Sequence, residues 1–539
     1  MALDKGRESN ETAGGAMSRK RMWLITAGVM TGMFIAALEA TVVGTAMPTV
    51  IASLGGLNHY SWVFSAYLVT STVTVPVWGK LSDLYGRRLL YQIGIGVFLL
   101  GTLLSGLSTS MTQLIIFRAI QGLGAGALVP LGMTIIGDTF TIQERAKMQA
   151  YFSGVWGFSS IIGPVIGGFI TDQISWRWVF FVNLPIGVIA ALIIGIALKE
   201  PVRDRKPKID YAGAVLLMTA ISLLMLAMVE GGSGGLFSSQ NLLIFLASVV
   251  LLVAFAWVEL RAADPIIPFD LFRNRTISIA VIAGFLGGVA MFGVISFIPL
   301  FAQGSLGFSA TEAGSLLTPL MLTWVTMSVV GGRLLLRVGY KPITIAGYAV
   351  LTLGFILLAM VDRDTNRIWL YADLMLIGAG LGFSMLTLLI AVQQAVERSK
   401  LGIATSLNQF SRSIGGAIGV AVMGAVLTAS LATELKRSAA ESGPLTEQQA
   451  IEFSSNPNAL IEPEAKSALQ PEVLSVLQTA LARAIHPVFW VGAFMAGLGL
   501  LVVTFLPRER EEEKSVDGER LIMAEQTNIN ARNQPVASE

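Results

Sequence analysis

The 539-residue sequence lacks cysteine, and it has only two histidines and few charged residues. The absence of cysteine excludes a disulfide framework, a thiolate metal site and a cysteine nucleophile. His59 and His486 leave little for a zinc site. Charged residues make up 13% of the chain, whereas soluble globular proteins carry about 25%. Together with a hydrophobic content of 54%, this shortage indicates a chain that faces lipid over most of its length.

Patterns that would indicate enzymatic or nucleotide-driven chemistry are also missing. The sequence has no Gly-x-x-x-x-Gly-Lys-Ser/Thr phosphate loop, so ATP is not expected as an energy source. No Ser-His-Asp arrangement or cluster of metal ligands is supported, which predicts a protein that is not an enzyme and needs no cofactor or metal. The net charge of +2 gives no sign of a nucleic-acid partner.

Long apolar runs dominate the chain. A helix that crosses a hydrocarbon core of about 30 Å needs about 20 residues. Continuous runs of this length favour helices over a barrel, so the sequence predicts an all-α membrane protein. Fourteen transmembrane helices are expected, at residues 22–45, 61–79, 89–108, 112–137, 148–171, 177–198, 211–229, 241–260, 277–302, 312–335, 342–361, 369–392, 404–430 and 486–506. The first run lacks a cleavage pattern, and we interpret it as an uncleaved span.

Lysine and arginine are concentrated in alternate loops, which predicts the orientation of the chain. With the amino terminus inside, the inner loops contain basic clusters such as Arg87 with Arg88, and five basic residues within 199–208. Most short outer loops contain none. An even number of spans then places both termini in the cytoplasm and the long, partly helical segment 431–485 outside.

The sequence contains an internal repeat. "GKLSDLYGRR" at 79–88 aligns with "GRLLLRVGYK" at 332–341, and "SSIIGPVIGG" at 159–168 aligns with "SRSIGGAIGV" at 411–420. Each alignment maps a span onto the span eight places later, which predicts two six-helix halves with two helices inserted between them. Parallel repeats of this kind are a transporter architecture. The expected domains are a cytoplasmic segment (1–21), the first half (22–198), the inserted helices with linkers (199–275), the second half (276–506) and a cytoplasmic tail (507–539).

Five motifs carry a family resemblance. They are "LEATVVGTAMP" (38–48), "GKLSDLYGRR" (79–88), "RAIQGLGAG" (118–126), "GFSSIIGPVIGG" (157–168) and "WRWVFFVNLPIG" (176–187). With fourteen spans, they resemble the major facilitator superfamily, and within it the fourteen-helix drug:proton antiporter family, over residues 22–506. The resemblance implies a transporter, expected to be a monomer, that handles a small-molecule substrate and protons in the bilayer. A bacterial inner membrane is the expected location.

The loop motif between spans 2 and 3 contains Gly79, Asp83, Gly86, Arg87 and Arg88. Glycine at position 79 allows close helix approach, and glycine at position 86 permits a tight turn. An acid such as Asp83 can accept hydrogen bonds from a helix N-terminus. The resemblance implies that this helix is span 13 and that the contact latches the cytoplasmic side shut. The alternative is a solvated acid beside the two arginines that only holds topology.

Span 5 carries the residues that resemble the superfamily's antiporter motif, namely Gly157, Gly163, Pro164, Gly167 and Gly168. Small residues at this spacing allow close contact between helices, and the proline can kink the helix. The resemblance implies that this face lies at the interface between the two halves. The alternative is general packing within the membrane.

Glu39 is an acid inside a long apolar run, which is costly at the centre of a bilayer unless the side chain faces a cavity or a partner. At about 1.5 Å per residue, Glu39 of span 1 and Arg118 of span 4 fall in the same layer. Burial favours a neutral carboxyl and a nearby cation favours the carboxylate, so such an acid can exchange a proton for a cationic substrate. The family usually has aspartate here. The alternative is a structural salt bridge between Glu39 and Arg118.

Two further charged residues are secondary candidates. Arg412 in span 13 is expected to be buried, either in a coupling network or in packing with its head near the interface. Asp373 falls near the outer boundary of span 12, where an interfacial position or a place at the outer mouth is expected.

The leading functional hypothesis is proton-coupled secondary efflux of lipophilic, mainly cationic, drugs or toxic compounds by alternating access. One alternative keeps the fold and the gating but changes the cargo to an endogenous metabolite, a siderophore or a lipid. Another is a non-transporting membrane receptor. Asp83, Glu39 and Arg118 argue against a receptor, because it would need neither a latch nor an ionisable core.

The predicted orientation can be tested by cysteine labelling, since the natural chain has no cysteine. A cysteine at Ser454 should react with an impermeant reagent on intact cells, whereas one at Val202 should react only after permeabilisation. Reaction of the Ser454 position solely after permeabilisation would overturn the orientation.

Overall fold

The computed structural model describes residues 18–54, 60–198, 210–234, 238–262, 264–308, 310–363, 365–440 and 469–507. Over these residues the regular secondary structure is helical, as the apolar runs predict. The chain divides into two compact units, Met1–Lys208 and Ile209–Glu539.

The first unit contains the helices of the predicted first half. They are α1 (Arg19–Leu54), α2 (Tyr60–Tyr85), α3 (Arg87–Gly106), α4 (Met111–Thr139), α5 (Ile142–Gln173), α6 (Trp178–Phe181) and α7 (Asn183–Ala197). The predicted sixth span is therefore divided into the short α6 and the longer α7, with a break at Val182.

The second unit begins with the two inserted helices and continues through the predicted second half. Its helices are α8 (Tyr211–Gly234), α9 (Ser239–Glu259), α10 (Arg275–Gly304), α11 (Ala310–Ser315), α12 (Leu317–Val338), α13 (Tyr340–Leu358), α14 (Arg367–Gln394), α15 (Leu401–Ala440) and α16 (Pro471–Thr504). Short 3₁₀ turns at Phe269–Arg273 and Arg398–Lys400 precede α10 and α15.

Eleven helical segments of the described chain are long and apolar enough to cross a membrane. The apolar part of α8 is shorter, at Tyr211–Ala227, and α2 and α5 also fall outside this group. These three helices coincide with predicted spans, so every predicted span overlaps a helix. The number fourteen stays a prediction.

The second unit repeats the helix neighbours of the first. In the first unit, α4 packs against both α2 and α3, and α1 packs against α5 and α7. In the second unit, α14 packs against α12 and α13, and α10 packs against α15 and α16. Each of these pairs corresponds to a pair eight spans earlier, as expected of a pseudo-repeat. The inserted helices α8 and α9 pack against each other, and α8 also contacts α15.

Glycines bring α3 and α4 close together. A Cβ atom added to Gly101 would lie 2.5 Å from the Cα of Gln121, and one added to Gly124 would lie 2.7 Å from the Cα of Phe98. Real Cβ atoms do not approach other atoms this closely, so these positions require glycine. The close approach places the side chains of α3 within hydrogen-bonding range of those of α4.

Two glycine turns occupy equivalent positions of the repeat. Gly86, between α2 and α3, has φ +99°, and Gly339, between α12 and α13, has φ +80°. Other residues rarely adopt these backbone angles. The requirement for glycine explains why both copies of the loop motif keep it at this position.

The segment 431–485, which the sequence predicts to be external, starts and ends as helix, because α15 continues to Ala440 and α16 begins at Pro471. Leu431 and Leu435 of α15 are buried in the same apolar core as Leu477 and Leu481 of α16. Because these leucines are buried, both helices continue beyond the ends of the predicted spans. Residues 441–468, with three of the prolines of the segment, lie outside the described residues.

Candidate functional site

Glu39 lies on α1 with 1% of its surface exposed. The same face of α1 buries Ile35, Leu38, Val42 and Val43, so the carboxylate is surrounded by apolar side chains apart from its specific partners. α1 packs against α4, α5 and α7, and two of these helices supply those partners.

The structure brings Glu39 and Arg118 together as a buried ion pair. The Nη1 atom of Arg118 donates to the Oε1 atom of Glu39, and the arginine is 2% exposed. An isolated charge in this environment would cost far more than an isolated charge in water. The pair therefore has no net charge, and each partner lowers the free-energy cost of burying the other.

Amide side chains complete the polar network around the pair. The Nδ2 atom of Asn183, on α7, donates to the Oε2 atom of Glu39 at 2.7 Å. Arg118 donates to the Oε1 atom of Gln121 at 2.6 Å, and Gln121 in turn donates to the hydroxyl of Thr102 on α3 at 2.8 Å. The network thus connects α1, α3, α4 and α7, and its hydrogen bonds offset part of the cost of burying charge.

The remaining contacts of Arg118 come from α2 and α6. Its Nε atom donates to the carbonyl of Val63 at 3.3 Å. Its guanidinium carbon lies 4.4 Å from the ring centroid of Tyr67 and 5.9 Å from that of Phe180. Aromatic faces at these distances attract cations, so they help to hold the arginine against Glu39.

The loop motif contributes to a second charged cluster, centred on the buried Arg87. This arginine is 2% exposed and pairs with Asp83 at 2.6 Å and with Asp138 at 2.8 Å. It also donates to the carbonyl of Ser82 at 2.9 Å. One guanidinium therefore ties the end of α2 and the end of α4 to the start of α3.

The other residues of the loop motif shape the turn. Gly79 is buried and its carbonyl accepts the Ser82 hydroxyl at 2.8 Å, Gly86 supplies the positive φ, and Arg88 is half-buried. The side chain of Asp83 is 5% exposed, so the reading of Asp83 as a solvated acid is wrong. The latch to span 13 stays a prediction.

A family model of the Major Facilitator Superfamily matches residues 29–420. The chain belongs to the major facilitator superfamily. It is similar to the multidrug transporter protein MdtP of Bacillus subtilis (strain 168), at 38% identity over 92% of this chain and 95% of the relative. Multidrug resistance protein 3 of the same organism is 35% identical over 90% of this chain and 95% of the relative.

A solved structure shares the fold. The human organic anion transporter MFSD10 covers 90% of this chain and 99% of its own with a TM-score of 0.58, at 16% identity. The resemblance predicted from the five motifs is therefore confirmed at the level of the superfamily, which makes the chain a multi-pass membrane transporter rather than an enzyme.

The antiporter motif of this transporter lies on α5, which packs along α1 and runs as a helix through Pro164. Gly163 and Gly167 are buried. Added Cβ atoms on Gly157 and Gly168 would meet no heavy atom of the described residues within 4 Å. The motif thus has one packed pair of glycines and one pair facing open space. Its place between the halves stays a prediction.

The two secondary candidates lie in the second unit. Arg412, on α15, is half-buried, donates to the Oε1 atom of Gln409 and lies 3.8 Å from the sulfur of Met385. Asp373, on α14, is 4% exposed, whereas the sequence favoured an interfacial position. Its place relative to the membrane boundary and the outer mouth stays a prediction.

Sequence reasoning missed Asn183, Gln121 and Asp138 as members of these clusters. Asn183 and Gln121 stand inside two of the quoted motifs, "WRWVFFVNLPIG" and "RAIQGLGAG". The sequence feature that could have identified these two residues is a polar amide inside an otherwise apolar span. Asp138 had a weaker signal, as a lone acid at the end of a long apolar helix.

Arg118→Met should strongly destabilise the protein, because it leaves the Glu39 carboxylate buried without a counter-charge. Loss of one partner of a buried pair costs about 3–5 kcal/mol. Adding Glu39→Gln to Arg118→Met should recover part of this loss, since no buried charge then remains. Thermal unfolding of the purified protein in detergent measures both effects.

Arg483→Met is the matched control, since Arg483 is 55% exposed and lies 3.9 Å from Glu434. An exposed pair contributes about 0–1 kcal/mol. Equal stability of Arg118→Met and Arg483→Met would contradict the description of Glu39 and Arg118 as a tightly coupled buried pair.

Proposed function

We propose that this transporter exports lipophilic, mainly cationic, drugs or toxic compounds across the cytoplasmic membrane in exchange for protons. The observation that carries the proposal is Glu39, an acid buried within a membrane helix and held by an arginine and an amide. The multidrug names of the two bacterial relatives, which match nine tenths of this chain, support a drug as the cargo.

The charge of the Glu39 site explains why a proton and a cation would exclude each other. With Glu39 ionised, the pair with Arg118 is neutral. A proton on Glu39 leaves the arginine without a counter-charge, so the site becomes positive and repels a cationic substrate. In a medium of low dielectric constant this repulsion is strong. A cation near the ionised carboxylate discourages protonation for the same reason, and this mutual exclusion is the requirement for exchange.

The aromatic residues beside the pair suit a lipophilic cation. Tyr67 and Phe180 present their rings to the guanidinium of Arg118. The same faces can attract a cationic drug when the arginine moves, through cation–π contacts and burial of apolar surface. Substrate and Arg118 would then compete for the same carboxylate and the same rings.

Alternating access requires a gate that opens and closes on one side of the membrane. The Arg87 cluster is a suitable part of such a gate, because it fixes the geometry of the short turn between α2 and α3. Asp83 is held by Arg87 in the described residues, and a carboxylate is the kind of group that accepts hydrogen bonds from a helix N-terminus. We assign Asp83, with Gly79, Gly86, Arg87 and Arg88, to gating rather than to substrate binding.

Glu39→Gln should abolish substrate-induced proton release. The amide keeps the shape of the side chain but cannot titrate, so binding of ethidium, a lipophilic monovalent cation, should release no proton from the purified variant. The wild type should release protons, and Glu39→Asp should keep the release because aspartate titrates as well. Glu259→Gln, at a buried acid outside the site, is the matched control and should behave like the wild type.

Equal proton release from the wild type and Glu39→Gln would show that Glu39 is a structural salt-bridge partner only. Proton-driven transport of an anionic or neutral compound, without transport of ethidium, would favour an exporter of an endogenous metabolite, siderophore or lipid.

Asp83→Asn should impair transport in vesicles while affinity for ethidium in detergent stays within a few-fold of the wild type. The change removes one of the two carboxylates that pair with Arg87 at the turn, and it does not touch the Glu39 site. Leu336→Asn, at the equivalent position of the second half and 48% exposed, should transport normally. Normal transport by Asp83→Asn would reject the gate, and loss of binding alone would make Asp83 a binding residue.

A further inference from the structure

Asn183 has a fully buried side-chain amide, of which the nitrogen is hydrogen-bonded and the oxygen is not. The residue is 0% exposed, and its Nδ2 atom donates to the Oε2 atom of Glu39 at 2.7 Å. Its Oδ1 atom accepts no hydrogen bond from the described residues. A buried acceptor without a donor is costly, so this idle oxygen next to an ionisable group needs a physical reason.

The fold holds Asn183 rigidly beside Glu39. It is the first residue of α7, directly after the break at Val182, and α7 packs along α1. Pro185 follows in the first turn of α7, where a missing N–H is tolerated. The backbone position is therefore fixed by the helix start, and the terminal amide torsion is the part of the side chain that is free to turn.

The two protonation states of Glu39 need opposite partners. An ionised carboxylate only accepts hydrogen bonds, and Asn183 satisfies it through the Nδ2 hydrogens. A protonated carboxyl is itself a donor. Arg118 already donates to Oε1, so the proton would go to Oε2. The new hydroxyl there would face the amide hydrogens of Asn183, and two donors cannot hydrogen-bond to each other.

We propose that the amide of Asn183 turns over when Glu39 is protonated, so that its Oδ1 atom accepts the new hydroxyl. A half-turn of the amide exchanges the donor for the idle acceptor and breaks no covalent bond. Asn183 is thus a positioning residue that stabilises both states of the coupling carboxyl. This inference rests on the proposed function, in which Glu39 carries the proton.

Arg118 and Gln121 are less suited to this part, because neither has an idle acceptor. In the described chain, the charged and titratable groups that act on Glu39 are Arg118 of α4 and Tyr67 of α2. Arg118 has donors only. The side chain of Gln121 also interacts with Glu39, but its Oε1 atom already accepts from Arg118 and its Nε2 atom donates to Thr102. Asn183 is the neighbour with a spare acceptor at the correct oxygen.

Infrared difference spectroscopy of the full-length protein on acidification tests the proposal. The carbonyl band of protonated Glu39 is identified as the band missing from Glu39→Gln. In Asn183→Leu, which keeps the size but has no acceptor, this band should move to higher frequency because the hydroxyl has lost its hydrogen bond. Proton-driven ethidium transport should fall about tenfold, as expected for loss of one hydrogen bond to a charged group.

Asn241→Leu is the matched control. Asn241 is 5% exposed, donates to the carbonyl of Ala227 at 2.9 Å and also has an idle Oδ1 atom, and among the described contacts it is bonded to no ionisable side chain. Its substitution should leave the Glu39 band unchanged. A shift of the Glu39 band in this control as large as that in Asn183→Leu would overturn the proposal, because the shift would then report general loss of packing.

A second measurement needs no variant at Asn183. With isotope-labelled asparagine in the wild type, an asparagine carbonyl band should move to lower frequency on acidification, and this shift should be absent from Glu39→Gln. A Glu39 band that is present but insensitive to Asn183→Leu overturns this inference alone. Absence of any Glu39-dependent band at all pH values overturns the proposed proton coupling as well.

Discussion

Two opposite charges are buried together in the first unit, and the surrounding helices keep both of them satisfied. Glu39 and Arg118 are each at most 2% exposed, and neither would be tolerable in lipid without the other. Four helices contribute groups to the network, from Asn183 on α7 to Thr102 on α3. A proton or a cation that disturbs this balance therefore acts on the packing of several helices at once, which is what a coupled transporter requires.

The same rule, that a buried charge must be balanced, governs the turn between α2 and α3. The buried Arg87 pairs with both Asp83 and Asp138. The second unit keeps the glycine of the turn but has Leu336 and a buried Tyr340 at the positions equivalent to Asp83 and Arg87. The backbone of the repeat is thus shared by both units, whereas the charge cluster is found in the first alone among the described residues.

Membership of the major facilitator superfamily places these two clusters in a transporter. The Glu39 site has the chemistry of exchange, since one proton changes its charge from neutral to positive. The Arg87 cluster holds the turn between α2 and α3 in one geometry. The two clusters share no residue, and the relatives with multidrug names match this chain over nearly its whole length.

The sequence by itself determined the fold class, the helical spans, the internal repeat and the superfamily, because apolar run length and short glycine-containing motifs are local properties of the chain. It also placed Glu39 and Arg118 in one layer by counting residues along two helices. Only the tertiary structure decided which residues complete the site. Asn183 is far from Glu39 along the chain and meets it through the packing of α7 on α1, and Asp138 reaches Arg87 because close glycine contacts set α4 against α3. Such partners depend on helix rotation and contact, which residue counting cannot supply.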